Sequence, residues 1–231
     1  MDLQAKNVLV TGTSRGIGRA IAQAFAAAGA RVLCHARTEA AASELAHELG
    51  GVPISGDLES SDGVASVAAQ VERVAPELHV MVHNAAISPR PHERFEDVEL
   101  AVFRAVMRVN VEAPIFLTQA LLPALRAAGG ARVVFVSSEA GQLSGGMPPD
   151  SLSYRVSKTA LNGASAVIAA SLREDGIIVN AMHPGWVKTD MGGPEAPLSP
   201  DESVDTALYL ATLPDDGPSG RFFFERRELA W

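Results

Sequence analysis

Two residues that can exchange a proton stand four positions apart, at Tyr154 and Lys158, within a run of helical pattern. Residues with this spacing share one helix face, so both side chains can meet the same ligand. A phenol with a pKa near 10 is a poor base at neutral pH, and a nearby ammonium would need to supply roughly 4 kcal/mol to lower that pKa by about three units. The pair predicts a tyrosine of lowered pKa that acts as an acid or base toward a substrate oxygen. A chance pair on an amphipathic helix is the alternative.

Hydroxyl and amide side chains stand at element ends upstream of this pair. Ser138 ends a β-branched run and is expected to hydrogen-bond the substrate oxygen beside the tyrosine hydroxyl, with Ser137 as the fallback. Two hydroxyls at a strand end can also be turn formers. Asn110, between two helical runs, either holds a water that passes protons from Lys158 to solvent or caps a helix. We therefore predict Asn110, Ser138, Tyr154 and Lys158 as the catalytic set.

A glycine-rich turn, residues 11–18, separates the first strand pattern from the first helix pattern. Glycine lets the backbone turn sharply and approach a ligand without a Cβ. The N-terminus of the following helix offers N–H groups and a partial positive charge to a diphosphate. An ordinary tight turn is the alternative, but a strand before and a helix after favour a dinucleotide.

The end of the second strand pattern bears on the kind of nucleotide. Dinucleotide folds that bind the free ribose hydroxyls carry an acidic residue there, whereas this chain has His35, Ala36 and Arg37 and no acid before Glu39. Ala36 leaves room for a 2′-phosphate, which the planar fork of Arg37 can grip, and Arg15 can reach the same group. NADP(H) is expected ahead of NAD(H), unless both arginines simply face solvent.

The elements that must position these residues alternate between strand and helix from end to end. Such alternation predicts one Rossmann-type α/β domain over residues 1–231, a doubly wound parallel sheet of about seven strands with helices on both faces. The predicted strands are 7–10, 31–34, 52–55, 80–82, 132–136, 177–181 and 221–224, and the predicted helices are 17–28, 39–49, 61–74, 98–108, 111–125, 153–174 and 201–211. The segment 185–200 lacks periodicity and is a candidate substrate lid.

Composition excludes several other classes of protein. The net charge of −8 argues against nucleic acid as a partner, and no stretch is long and apolar enough to span a bilayer. Cys34 is the single cysteine, and the first residues lack the pattern of a signal peptide, so we expect a cytoplasmic protein. No cluster has metal-ligand spacing, so no catalytic metal is expected. The helices at 111–125 and 153–172 are apolar around much of their circumference, which predicts a homodimer or homotetramer.

Taken in order, these motifs resemble those of the short-chain dehydrogenase/reductase family over nearly the whole chain. The turn 11–18 is similar to T-G-x-x-x-G-x-G, residues 154–158 to Y-x-x-x-K, and residues 184–189 to P-G-x-x-x-T. Residues 83–86 resemble N-N-A-G, with departures at the first and last positions. Asp57 and Leu58 resemble the family's adenine-holding pair, Asn110 its helix asparagine, and Ser137 and Ser138 its strand-end serines. The tail 220–231 looks most like bacterial carbonyl-reductase-like members.

This resemblance implies an NADP(H)-dependent oxidoreductase that moves a hydride between nicotinamide and a small carbonyl or alcohol substrate, with Tyr154 as general acid/base. Thr189 is expected to bind the carboxamide of nicotinamide, and Asn84 to steady the central strand and the cofactor. The alternatives are a 3-ketoacyl-carrier-protein or polyol reductase on the same scaffold, or a non-catalytic NADP(H)-sensing regulator. The residues that the resemblance implies for cofactor binding are Gly12, Ser14, Arg15, Gly16, Ile17, Gly18, Arg37, Asp57, Leu58, Asn84, Ala85, Tyr154, Lys158, Pro184, Gly185, Val187 and Thr189.

Some residues near these motifs have two interpretations. Trp186, Met191 and Met147 either line an apolar pocket or pack within the lid. His83 is expected to be a buried structural histidine, and Glu139 to be exposed at the surface. The adjacent pair at 226–227 is expected to form a solvated surface turn.

Overall fold

The protein forms an eight-stranded sheet covered by helices on both faces. The computed structural model describes residues 1–88, 92–144 and 146–231. The strands run in the order β3-β2-β1-β4-β5-β6-β7-β8, and the first seven are parallel. Their bounds are β1 Asn7–Thr11, β2 Arg31–Ala36, β3 Val52–Ser55, β4 Val80–His83, β5 Arg132–Val136, β6 Ile178–Met182, β7 Phe222–Phe224 and β8 Arg227–Leu229. The predicted doubly wound α/β domain is confirmed.

The helices begin and end close to the predicted positions. They are α1 Gly16–Ala27, α2 Glu39–Leu49, α3 Ser61–Val74, α4 Leu100–Met107, α5 Ala113–Ala120, α6 Leu122–Ala127, α7 Leu152–Ser171 and α8 Asp205–Ala211. Short 3₁₀ turns occupy Phe95–Asp97, Glu139–Gly141 and Asp201–Ser203. Because the third of these turns precedes α8, the last predicted helix begins four residues later than expected.

The core consists of two layers, one on each face of the sheet. Alternate residues of the central strands point to opposite faces. Leu9, Met81 and Phe135 join the layer beneath α3, α5 and α7, whereas Val10 and Val82 join the layer beneath α1 and α8. Because β1 and β4 to β6 are covered on both faces, they carry almost uninterrupted apolar runs.

The eighth strand was not predicted, and it corrects the expected count of about seven. β8 pairs antiparallel with β7, and the residues between them, Glu225 and Arg226, both have positive φ, of 48° and 63°. Two such residues form the tight turn that suits the twist of a hairpin. Arg226 lies in this exposed turn as expected and forms an ion pair with Asp205, while Arg227 belongs to the new strand.

The two helical patterns that meet near Asn110 form one continuous helical path. α4 passes into α5 through a π-helical turn, Arg108–Glu112. Pro114, in the first turn of α5, has no N–H to return to the carbonyl of Asn110 four residues earlier, so an α-helical hydrogen bond cannot form there. Asn110 therefore sits inside a helix, and the helix-cap interpretation is wrong.

Candidate active site

The predicted catalytic residues meet at the carboxyl edge of the parallel strands. Ser138 follows β5, and Tyr154 and Lys158 lie on α7, which packs against β5 and β6. A side-chain hydrogen bond joins Ser138 to Tyr154, and the Lys158 Nζ lies 5.6 Å from the centre of the tyrosine ring. Ligands of open α/β sheets bind at this edge, where the strand order reverses beside β1 and β4.

The two adjacent serines face different partners. Ser138 Oγ accepts a hydrogen bond from the Ala140 N–H at 3.1 Å as well as contacting Tyr154. Ser137 is buried, and its hydroxyl donates to the Lys158 carbonyl at 3.4 Å. The structure therefore places Ser138, rather than the fallback Ser137, beside the tyrosine hydroxyl.

The pKa of Tyr154 moves in the direction opposite to the expected one. Burial of the phenol raises its pKa above the ordinary value, although the hydrogen bond from Ser138 and the charge of Arg155 act to lower it. The expected lowering depended on a nearby cation, but burial also disfavours the charged form of Lys158. At neutral pH Tyr154 is therefore a protonated phenol, which is the form of a proton donor.

Lys158 is held in an apolar setting beneath the active site. Its side chain is only 2% exposed, and Nζ donates to the Val136 carbonyl at 2.8 Å. Burial lowers the pKa of Lys158 to about 7. An amine with a pKa near neutrality can both carry and release a proton under physiological conditions.

Asn110 is fixed by hydrogen bonds on both sides of its amide. Its Oδ1 accepts from the Ile87 N–H at 2.8 Å, and Nδ2 donates to the Ile87 carbonyl and to Ser157 Oγ, each at 3.0 Å. The Ser157 hydroxyl in turn donates to the Tyr154 carbonyl at 2.7 Å. The π-helical turn, the loop after β4 and the catalytic helix are thus tied together, and Ser157 has a role that the sequence did not reveal.

The glycine turn fits closely against the loop that follows β4. Gly12 has a φ of +72°, and a Cβ at this position would lie 2.9 Å from the Ala85 Cα. Asn84 Nδ2 donates to the carbonyls of Thr11 and Gly12, at 2.9 and 3.1 Å, so Asn84 steadies the turn. The Thr11 hydroxyl accepts from the N–H groups of Asn84 and Ala85, both at 3.0 Å.

His35 is a further residue of this region whose contribution sequence reasoning missed. The Gly12 N–H lies 3.2 Å from His35 Nδ1, and His35 Nε2 lies 3.0 Å from the Gly56 carbonyl. The first contact needs an acceptor and the second a donor, so the ring is neutral with its proton on Nε2. Burial lowers the pKa of His35, which agrees with a neutral ring. A polar residue at the end of the apolar run Val32–Cys34 is the signal that could have identified it.

The N-terminus of α1 is suited to a diphosphate. The helix starts at Gly16, and no side chain caps it at Arg15. Its first N–H groups, which follow Ser14 and Arg15, therefore have no intrahelical acceptors. Ile17 and Gly18 carry two of these groups. The Gly18 position has no room for a Cβ, which would lie 2.1 Å from the Gly12 carbonyl oxygen.

The residues expected around the adenosine are partly accessible. Arg37 and Asp57 are exposed, and Leu58 is buried. Arg15 is also exposed, but its Nε forms an ion pair with Asp190 at 3.1 Å. Arg37 thus faces solvent at the end of β2, while Arg15 already has an anionic neighbour.

The candidate lid contacts the glycine turn directly. Thr189 lies against Gly16, where a Cβ would come within 3.1 Å of the threonine methyl group. Val187 is buried and bridges to Leu198, which closes the base of the segment. Gly185, with a φ of +85°, follows the half-buried Pro184, and its N–H donates to His183 Nδ1 at 3.1 Å. The Thr189 hydroxyl accepts from the Gly192 N–H at 3.0 Å.

The remaining predicted residues take the following positions. His83 is buried, stacks on Phe135 and bonds Thr118 at 2.7 Å, as expected of a structural histidine. Glu139 is exposed, as expected. Met147, Trp186 and Met191 remain 39, 52 and 45% exposed, so they are not packed into the fold.

The described residues lack two other kinds of feature. No group of three or more His, Cys, Asp or Glu side chains in residues 1–88, 92–144 and 146–231 is placed to hold a metal ion. Within the same residues, no helix combines the length and apolar character needed to cross a bilayer.

Comparison with known proteins agrees with this geometry. The family model for short chain dehydrogenase matches residues 6–197. The short chain dehydrogenase MYCFIDRAFT_6125 of Pseudocercospora fijiensis is 34% identical over 211 residues, which cover 89% of this chain and 65% of that protein. This chain thus spans just under two thirds of the length of that relative.

Two solved structures have the same fold. Carbonyl reductase Sniffer of D. melanogaster is 28% identical with a TM-score of 0.89, and the match covers 99% of this chain and 100% of that one. The Pseudomonas aeruginosa RhlG/NADP active-site complex is 30% identical with a TM-score of 0.87, covering 96 and 94% of the two chains. This chain therefore belongs to the short-chain dehydrogenase family of oxidoreductases, which use nicotinamide cofactors and act on alcohol or carbonyl groups of small molecules.

Proposed function

We propose that the protein is an NADP(H)-dependent reductase of small carbonyl compounds, with Tyr154 as the proton donor. The observation that carries the proposal is the tyrosine hydroxyl bonded to Ser138, with Lys158 on the same helix face, at the sheet edge where the glycine turn also lies. These groups lie where a nucleotide and a substrate oxygen can be held together.

The protonation states favour reduction. When a carbonyl is reduced, negative charge builds on its oxygen, and a hydroxyl donor must stabilise that charge and deliver a proton. Tyr154 is protonated because burial raises its pKa. Ser138, whose side chain is bonded to Tyr154, would contribute a second hydroxyl beside the same oxygen. Lys158, with a pKa of about 7, can replace the proton that Tyr154 gives up. Asn110, which donates a hydrogen bond to Ser157, holds the π-helical turn beside Tyr154 and Lys158.

The glycine turn and the exposed arginine fit NADP(H). Gly12 and Gly18 leave no space for side chains, and the uncapped start of α1 presents N–H groups to a diphosphate. Arg37 can grip a 2′-phosphate, and no acidic residue occurs from the end of β2 until Glu39 to repel that group. When bound, the nicotinamide ring supplies the hydride. Thr189 and the lid then exclude water from it.

Self-association is proposed for the same helices that looked apolar in sequence. Phe116 on α5 and Val167 on α7 are 54 and 67% exposed. Burying such side chains between two copies of the chain would remove apolar surface from water. Sedimentation at micromolar concentration should give a species larger than 24.2 kDa, and a lone species of that mass would contradict this part of the proposal.

The test is oxidation of NADPH with a panel of aldehydes, ketones, 3-ketoacyl thioesters and ketoses. Tyr154→Phe should lose about 10²- to 10⁴-fold in kcat, because phenylalanine has no proton to give. Tyr209→Phe is the matched control, since Tyr209 packs against Phe223 away from the site, and it should keep full activity. Tight NADPH binding without turnover on any substrate would instead favour a regulator, and absence of NADPH binding would overturn the proposal.

A further inference from the structure

The catalytic helix α7 begins without a cap from its own sequence. Ser151 occupies the N-cap position with a φ of 54°, and its hydroxyl makes no capping hydrogen bond to the helix. Instead, Ser151 Oγ accepts from the His92 N–H at 3.0 Å. The first N–H groups of a helix need acceptors from elsewhere, and here they receive them from the loop after β4.

Glu93 supplies two of those acceptors. Its carboxylate Oε2 accepts from the Ser153 N–H at 2.9 Å, and its main-chain carbonyl accepts from the Ser151 N–H at 2.8 Å. Glu93 is only 5% exposed although it carries an ionisable group. Tyr154 is the next residue after Ser153, so the carboxylate holds the backbone one residue before the proposed proton donor.

We propose that Glu93 is a positioning residue for Tyr154, which it aligns by capping α7 from a loop sixty residues earlier in the chain. The proposal rests on the proposed function, because it gives Tyr154 a geometry that matters for proton donation. Glu93 acts through the backbone of α7 and is not itself assigned a contact with substrate.

The electrostatics of this contact are favourable for a carboxylate. A negative charge at a helix N-terminus interacts well with the helix dipole, and a charged acceptor makes a stronger hydrogen bond to N–H than a neutral one. An ion pair between Asp150 and Arg155 also restrains the start of α7, since Arg155 Nη2 donates to Asp150 Oδ1 at 2.9 Å across the same turn. Both flanks of Tyr154 are thus restrained.

Two polar atoms of this contact have no partner among the described residues. Glu93 Oε1 and Ser153 Oγ are buried, and neither has a hydrogen-bond partner within the described part of the chain. Leaving buried polar atoms unpaired is unfavourable and is uncommon in native proteins. A local serine or aspartate cap would satisfy the helix with less burial, but it would not tie α7 to the loop after β4.

The experiment compares Glu93→Ala and Glu93→Gln with the matched control Glu96→Ala. Glu96 lies on the same loop, but it is exposed and pairs with Arg94. All variants are made in a Tyr209→Phe background, so that phenolate absorbance at 295 nm reports on Tyr154, the remaining tyrosine. Titration midpoints are measured together with kcat and the Kd for NADPH.

Glu93→Ala should lower kcat by about ten- to hundredfold, since small displacements of a reacting group are costly. Its Tyr154 midpoint should fall toward the ordinary value, because a frayed helix start exposes the phenol whose burial raises the pKa. NADPH affinity should fall much less than kcat, since the glycine turn lies on β1 and α1. Glu93→Gln should stay within about threefold of the background kcat, because its amide oxygen can accept the same hydrogen bond.

If the alanine variant does not fold, Glu93→Met is measured in its place, because methionine fills the same space without offering a hydrogen-bond acceptor. A folded Ala or Met variant with the kcat and Tyr154 midpoint of Glu96→Ala would overturn the proposal. Unfolding of both variants by circular dichroism would also overturn it, because Glu93 would then serve the fold itself. If the background protein shows no turnover, the proposed function fails, while the absorbance titration still tests the positioning of Tyr154.

Discussion

Replacing Lys158 by methionine should stabilise the protein at neutral pH while removing the proposed activity. The lysine is 2% exposed, and burial alone lowers its pKa from 10.5 to about 7. A base whose pKa is lower in the folded state than in the unfolded state makes the folded protein bind fewer protons. Burial of the charged amine therefore destabilises the folded protein by its full amount below pH 7, and this destabilisation is lost as pH rises from 7 to about 10.

The magnitude follows from the size of the shift. A lowering of about 3.5 units corresponds to about 5 kcal/mol of destabilisation when the amine is charged. Methionine removes this penalty, but it also leaves the Val136 carbonyl without its 2.8 Å donor, which costs about 1 kcal/mol. At pH 7 the free energy of unfolding of Lys158→Met should therefore exceed that of the parent by about 3 to 4 kcal/mol.

Urea unfolding of the parent and the variant, without cofactor, measures this difference from pH 6.5 to 9.5. The advantage of Lys158→Met should shrink steadily as pH rises, because the parent gains stability when its amine becomes neutral. Lys188→Met, at an exposed lysine in the lid, is the control and should show no such trend. A variant no more stable than the parent at pH 7, or a difference that does not change with pH, would refute the reasoning.

Three further substitutions test other parts of the structure. Gly12→Ala should destabilise the fold by about 2 kcal/mol in urea and weaken NADPH binding in a fluorescence titration, because φ is +72° and Ala85 leaves no room; unchanged affinity would contradict this. Glu225→Asn should raise Tm by about 2 °C, since asparagine tolerates the positive φ of this hairpin turn; a lower Tm would contradict it. Asp190→Asn should tighten binding of 2′,5′-ADP about two- to threefold by freeing Arg15 from its ion pair; calorimetry showing equal affinity would contradict it.

The parallel part of the fold could be predicted because its signals are local. The apolar runs of β1, β4, β5 and β6 reflect burial on both faces. The glycines of residues 12–18 mark a turn in which Gly12 and Gly18 have no room for a Cβ. β8 was missed because Arg227, Glu228 and Leu229 form a short, charged edge strand without an apolar pattern.

The parts of the site that escaped prediction depend on contacts between distant residues. His35 joins Gly12 to Gly56, and Glu93 caps a helix sixty residues away, so neither role is visible in local spacing. The raised pKa of Tyr154 escaped prediction because it depends on how deeply the phenol is buried, which residue types alone do not specify. The assignment of Ser138 to the site remains a prediction, supported by its bond to Tyr154.

The central claim is that a hydride passes from nicotinamide to a carbonyl carbon while Tyr154 gives the proton. Single-turnover reaction of the purified protein with 4-deuterated NADPH, of each C4 configuration in turn, and a reducible ketone tests it most directly by mass spectrometry of the alcohol. We expect one deuterium on the carbinol carbon from one of the two configurations, and none within the same time from Tyr154→Phe. An alcohol without deuterium from both, or equal transfer by Tyr154→Phe, would contradict the account.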